Sequence, residues 1–113
     1  KHSGAPGFAA LPLERIEFAR GNLLFWYDEP EHALPHLRKA TANSQVLDPN
    51  SGVTSWLRLG QSLDLLKRRE EAKQAYQSAV RFWPASDEAK LAKRYLSRPF
   101  TLDEKRAMSE VKE

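Results

Sequence analysis

The sequence predicts an all-α chain of antiparallel helix pairs, five or six helices in total and no strand. Three observations carry that prediction. Trp56, Leu59 and Leu63 recur at helical spacing, as do Ala72, Tyr76 and Ala79, so each trio shares one helix face. Gly60 lies on the first stripe, where it costs about 1 kcal/mol relative to Ala in an isolated helix. That cost makes sense if a second helix approaches too closely to admit a Cβ. Finally, the stripes are punctuated: Pro84 stops the second, and Ser86 and Thr101 stand where helices begin.

Taken in order, residues 1–10 carry two glycines, a proline and Phe8, and read as an extended arm or linker. A helical domain follows over 11–98. Pro12 suits the first turn of its opening helix, which runs through about Trp26. Tyr27 to Pro30 make the turn. The second helix starts near Glu31 or His32, which keeps Pro35 close to its tolerant end. The third and fourth helices carry the two stripes within 53–86. Ser86 caps a fifth helix from Asp87 to about Ser97, with two acidic residues in its first turn. Ala89, Ala92 and Leu96 give that helix one small-residue face, and Leu91 with Tyr95 an adjacent one. Arg98-Pro99 ends it, because the residue before a proline disfavours the α region. In the tail, 99–113, Thr101-x-x-Glu104 reads as a capping box for a short last helix. Leu102, Ala107, Met108 and Val111 are thin apolar content, so this helix is expected to fray.

The stretch Trp56-x-x-Leu59-Gly60-x-x-Leu63, followed by Ala72, Tyr76, Ala79 and Pro84, resembles one whole tetratricopeptide repeat, a helix–turn–helix unit of about 34 residues. The resemblance implies a right-handed α-α superhelix of antiparallel pairs. Shifting back by about 39 residues brings up a degenerate copy over about 14–52. There Gly21 matches Gly60, Leu24 matches Leu63, Ala33 matches Ala72, Leu37 matches Tyr76, and Ala40 matches Ala79. Glu17 stands where Trp56 would, with Phe18 one place off. The stop proline comes late, at Pro49, which implies a helix about one turn longer than the family's pattern. The helix over 87–98 resembles the terminal one that covers the last repeat. Two repeats and a cap fall short of the roughly three units such arrays need, which favours more repeats upstream.

In this family the ligand-facing side chains come mainly from the first helix of each pair. Carried onto the matching register, the resemblance implies a peptide groove lined by Thr54, Leu57, Arg58, Gln61, Asp64 and Leu65, with Phe18, Asn22, Phe25 and Trp26 from the earlier copy. The apolar members would form an aromatic-rich patch at its mouth, and such patches usually mark interfaces. The plainer reading packs Phe25 and Trp26 on the Phe8 arm or on an upstream helix. The sub-class that clamps a peptide's terminal carboxylate needs Lys and Asn where Thr54, Leu57 and Gln61 stand here. Only Arg58 fits it.

No other constellation competes. His32 and His36 are four apart, but spacing supplies no third ligand, and Ala33 replaces the Glu that follows the first His in metalloproteases. Lys67-Arg68-Arg69-Glu70-Glu71 reads as a basic helix end meeting an acidic helix start. Lys90, Lys93 and Arg94 read as a solvated face. Nothing resembles a nucleophile elbow or a phosphate-cradling loop, so the reading is non-enzymatic, with no catalytic residues, cofactor or metal. Across 113 residues the net charge of +3 is a surplus of 18 basic over 15 acidic side chains, too diffuse for a nucleic-acid surface. No cysteine allows a disulfide. No apolar run approaches about 18 residues, so the chain reads as soluble, and as periplasmic or secreted if a signal peptide precedes Lys1.

The function implied is protein–protein interaction, with a peptide or helix held in the concave groove and oligomerisation open to the exposed repeat ends. The alternative is a structural carboxy-terminal domain of a larger secreted or periplasmic bacterial enzyme or carrier, packing on its own parent.

Overall fold

The computed structural model describes residues 13–112, with side chains through Met108. The predicted arm over 1–10, Phe8 included, lies outside them. Six α-helices follow in order: α1 (Leu13–Trp26), α2 (Pro30–Ala42), α3 (Pro49–Leu65), α4 (Arg69–Phe82), α5 (Asp87–Ser97) and α6 (Leu102–Lys112). A 3-10 turn, Ser44–Val46, separates α2 from α3. There is no strand among the described residues.

Helices α1 and α2 are antiparallel, since Gly21 faces Leu37 while Glu14 Oε2 accepts from Asn43 Nδ2 at 3.1 Å. Helices α3 and α4 repeat the arrangement, with Gly60 against Tyr76 and Gly52 against Phe82. From α1 to α5 each helix also packs on its successor, and α1 touches α3 as α3 touches α5. The result is two layers, α1–α3–α5 on one side and α2 and α4 on the other.

The predicted small-residue contacts organise both pairs. A Cβ on Gly60 would lie 2.4 Å from Tyr76 Cε1, and one on Gly21 would lie 2.7 Å from Leu37 Cγ. Ala33, Leu37, Ala40, Leu59, Leu63, Ala72, Tyr76 and Ala79 are all buried. Leu24 and Trp56 are partly buried and pack on the same core. Pro84 is exposed in the turn after α4. At the lead position of the first pair the aromatic is replaced by a hydrogen-bonded pair: Glu17 is buried and its carboxylate meets His36 Nδ1 at 2.5 Å. Trp56, its counterpart, sends its indole N–H to Ser44 Oγ at 3.2 Å, tying α3 to the connector before it.

Two turns carry a regularity invisible in residue type. Glu29 N–H donates to Leu24 O at 3.0 Å and Asp28 N–H to Phe25 O at 3.2 Å. Arg68 N–H and Lys67 N–H make the matching bonds to Leu63 O and Asp64 O, at 2.9 and 3.0 Å. Both are helix ends closed by a left-handed residue, Asp28 at φ 64° and Lys67 at φ 66°, where glycine is usual.

Three boundaries depart from expectation. Helix α2 starts at Pro30, so Pro35 sits inside it and leaves the Glu31 carbonyl without its usual partner. That helix is not one turn longer; it ends at Ala42, and the surplus residues form the 3-10 turn and the extended Leu47. Pro49 therefore stops nothing. It is the first residue of α3, capped by Asp48, whose Oδ2 accepts from Ser51 N–H at 3.1 Å. Fraying was expected of α6, yet it forms a helix over Leu102–Lys112. Ser86 caps α5 as expected, accepting from Ala89 N–H at 3.0 Å.

Candidate functional site: a groove face holding the chain's own segment

The α1–α3–α5 layer presents the residues expected to line a groove, and residues 99–105 lie across it. Phe100 N–H donates to Asp64 Oδ2 at 3.0 Å. Its ring is 2% exposed and stands edge-on to Tyr95 at 5.2 Å, with Phe25 at 6.0 Å on another side. Asp64 is the hub beneath it. The same carboxylate accepts from Tyr76 OH at 2.7 Å and Arg69 Nη1 at 3.0 Å, and Arg69 Nη2 reaches Leu96 O at 3.1 Å. One buried carboxylate thus ties α3, α4 and the crossing segment together, and α5 is joined through Arg69. Burial, then the bond to Asp64, pushes the Tyr76 phenol far above its ordinary range.

Five residues further on, Lys105 is 2% exposed. Its ammonium donates to Trp26 O at 3.4 Å and to the Asp28 carboxylate. It also sits 5.3 Å from the Phe25 ring centroid and 5.7 Å from that of Trp26. The Arg58 guanidinium takes the same two rings at 5.1 and 5.0 Å. Two cations therefore share one edge-to-face aromatic pair, an arrangement worth about 0.5–2 kcal/mol per contact. Lys105 can be buried because the last carbonyl of α1, the negative end of that helix dipole, receives it beside a carboxylate. The Lys105 contact holds the Asp28 carboxyl below its ordinary range. Burial pushes Arg58 down to about 10, which leaves it charged at neutral pH. Arg58 is further placed by Asn22 Oδ1 at 3.0 Å and Gln61 Oε1 at 2.7 Å.

Between these anchors, Thr101 Oγ1 accepts from Glu104 N–H at 3.2 Å, half of the predicted capping box. The Glu104 side chain does not complete it. It accepts from Tyr95 OH at 3.0 Å, with Arg94 and Arg98 both at 3.6 Å. Burial first, then Glu104, pushes the Tyr95 phenol up to about 12.

Of the ten residues expected to line an open groove, Phe25, Leu57, Gln61 and Asp64 are buried. Phe18, Asn22, Trp26, Thr54, Arg58 and Leu65 are partly buried. No open aromatic patch forms at the mouth, because Phe100 and Lys105 cover Phe25. The residues that close the face, Asp28, Phe100 and Lys105, were missed by the sequence reading. A signal existed: Phe100 and Lys105 flank the Thr101 cap at the two positions that usually hold a hydrophobic staple. A lysine at the inner one hides the pattern.

The remaining constellations resolve plainly. His32 is exposed and pairs with Glu29 at 3.0 Å, whereas His36 turns to Glu17, so the two do not converge. Among the described residues no group could hold a metal ion. The basic triplet is not a helix end: α3 stops at Leu65, and Arg69 opens α4. Arg69 is held by Asp64 and Arg68 by Glu71 at 2.9 Å, so neither is offered to a phosphate. Between α2 and α4 an open cleft of about 360 Å³ is floored by Trp56, Leu59 and Leu63. No described helix is long and apolar enough to cross a membrane. No protein-family model, curated protein or solved structure matches the chain.

Proposed function

We propose that this chain is a protein-interaction module built as a tetratricopeptide-like, right-handed stack of helix pairs, binding a peptide or helix across its α1–α3–α5 face. The repeat reading is supported by matched offsets: Gly21 on Leu37 and Gly60 on Tyr76, Asp28 and Lys67 closing equivalent turns. The binding reading rests on one observation. The face already holds a peptide segment by a main-chain N–H on Asp64 and an aromatic anchor between Phe25 and Tyr95. Those are the contacts peptide grooves use, a main-chain bond for affinity and a pocketed side chain for choice. The role is non-catalytic. Peptides selected by display on the whole chain should lose at least about tenfold in affinity to Trp26→Ala, the truncation of a hot-spot residue type. Unchanged affinity would remove the groove.

A second reading has its own support. Leu13, Ile16 and Leu23 of α1 and Tyr27 just after it are 66%, 36%, 52% and 66% exposed and lie along one outer stripe. A domain packing on a parent protein would use such a face. If that reading holds, Leu23→Lys loosens the domain from its parent and leaves peptide binding unchanged.

A further inference from the structure

The groove face is occupied in a way that specifies what it would accept. We propose that residues 99–105 are a tethered ligand, and that the same face takes in trans a peptide carrying an aromatic, a helix-capping hydroxyl, a carboxylate and a lysine at relative positions 0, +1, +4 and +5. This rests on the interaction-module reading above and names its partner.

Each position has a counterpart in the segment that crosses the face. The aromatic is Phe100, whose N–H meets Asp64 at 3.0 Å while its ring fills the space between Phe25 and Tyr95. The hydroxyl is Thr101, which caps the Glu104 N–H and so starts a helical turn before the groove is reached, lowering the ordering cost. That turn sends Glu104 to Tyr95 OH and Lys105 to the Trp26 carbonyl and Asp28. A leucine at the last position would leave the Trp26 carbonyl and the Asp28 carboxylate without this cation, so the face selects by charge as well as by shape.

The segment is also built to leave. Arg98 is extended, at φ −150° and ψ 146°, and Arg98, Pro99, Thr101, Leu102, Asp103, Arg106 and Ala107 are exposed. Beyond residue 101, only Glu104, Lys105 and Met108 engage the body among the described side chains apart from the rim contacts of Leu102 and Arg106. Helix α6 makes no extensive packing with another helix and meets the body through a few side chains. Opening it withdraws Phe100 from the core and its N–H from Asp64, while the contacts within the pairs α1–α2 and α3–α4 involve other residues. While tethered it acts at an effective concentration on the order of mM, so an untethered peptide competes poorly in the wild-type chain.

The test uses the 113-residue chain carrying Phe100→Ala, which lacks the cis anchor, and a fluorescently labelled peptide of residues 97–110. Phe100→Ala should bind it at least about tenfold more tightly than the wild-type chain does. A control peptide with the Phe and Lys positions exchanged should bind at least about tenfold more weakly than the matched one. Equal binding of the two peptides overturns the stated selectivity and leaves the groove reading standing. Absence of binding by both overturns the tethered ligand, and the Trp26→Ala assay then decides the groove separately. The wild-type chain gives an independent readout without substitution: millimolar matched peptide should speed hydrogen exchange at the Phe100 amide. An unchanged rate there overturns the proposal.

Discussion

Replacing Gly60 by Ala should destabilise the chain, although alanine is the better helix former. The new Cβ would stand 2.4 Å from Tyr76 Cε1 and 2.6 Å from Cδ1, whereas carbon atoms rest at about 3.5–4.0 Å. One partner must move by more than about 1 Å. Tyr76 is fully buried, its ring lies 5.6 Å from that of Tyr95, and its hydroxyl is held by Asp64 at 2.7 Å. Overpacking costs about 1–3 kcal/mol, and a weakened hydrogen bond to a carboxylate about 1.5–3 kcal/mol. Helix propensity returns about 1 kcal/mol. The net is about 1.5–5 kcal/mol of lost stability, measurable as a fall in the urea midpoint at constant slope. Gly21→Ala is the comparison. Its Cβ would meet Leu37 Cγ at 2.7 Å and Cδ2 at 2.8 Å, the branches of a side chain with no hydrogen bond to lose. The cost there should be about 2 kcal/mol smaller. In a Tyr76→Leu background, Gly60→Ala should cost under about 1 kcal/mol, because the ring is gone. A stabilising Gly60→Ala, or the same cost in both backgrounds, would refute the close-approach argument.

Three further outcomes follow from the site. Asp64→Ala should cost about 3–5 kcal/mol in chemical denaturation, since Arg69, Tyr76 OH and the Phe100 N–H lose one shared acceptor. Lys105→Met should cost about 1–3 kcal/mol, because the Trp26 carbonyl and the Asp28 carboxylate lose the ammonium that both accept from. Lys67→Gly should stabilise by about 1 kcal/mol or slightly more, relieving a left-handed residue whose side chain makes no hydrogen bond among the described residues, and thermal melts would show it. The acid limb of stability should report Glu17. The bond from His36 lowers its folded pKa below the ordinary 4.5, so its contribution is present above that value and lost as pH falls through the folded one. Between about pH 5 and pH 3, Glu17→Gln should therefore lose less stability than the wild-type chain.

Much of this architecture was legible because local rules and tertiary packing agree. Helix α5 begins at its Ser86 cap and ends before Pro99, as capping chemistry requires. Gly21, Gly60 and their alanine neighbours announced close helix contacts because a helical glycine has a cost that only packing offsets. Pro49 misled because a proline that stops one helix looks like one that opens the next; Asp48 before it was the better guide. The turns at Asp28 and Lys67 were hidden for another reason. Both turns need a left-handed residue where neither position holds glycine; Asp28 tolerates that backbone, whereas nothing in a lysine announces it at Lys67.

The groove marks the boundary between the two kinds of information. The sequence alone determined a helical chain and the small-residue register of its two pairs. It could not determine that the groove face is filled. Phe100 and Lys105 reach Asp64 and Trp26 across separations of 36 and 79 residues. No periodicity spans such distances, and a lysine ordinarily reads as surface. Only the folded chain brings a helix-end carbonyl, a carboxylate and two aromatic rings to one point, and only there does burying that ammonium become affordable.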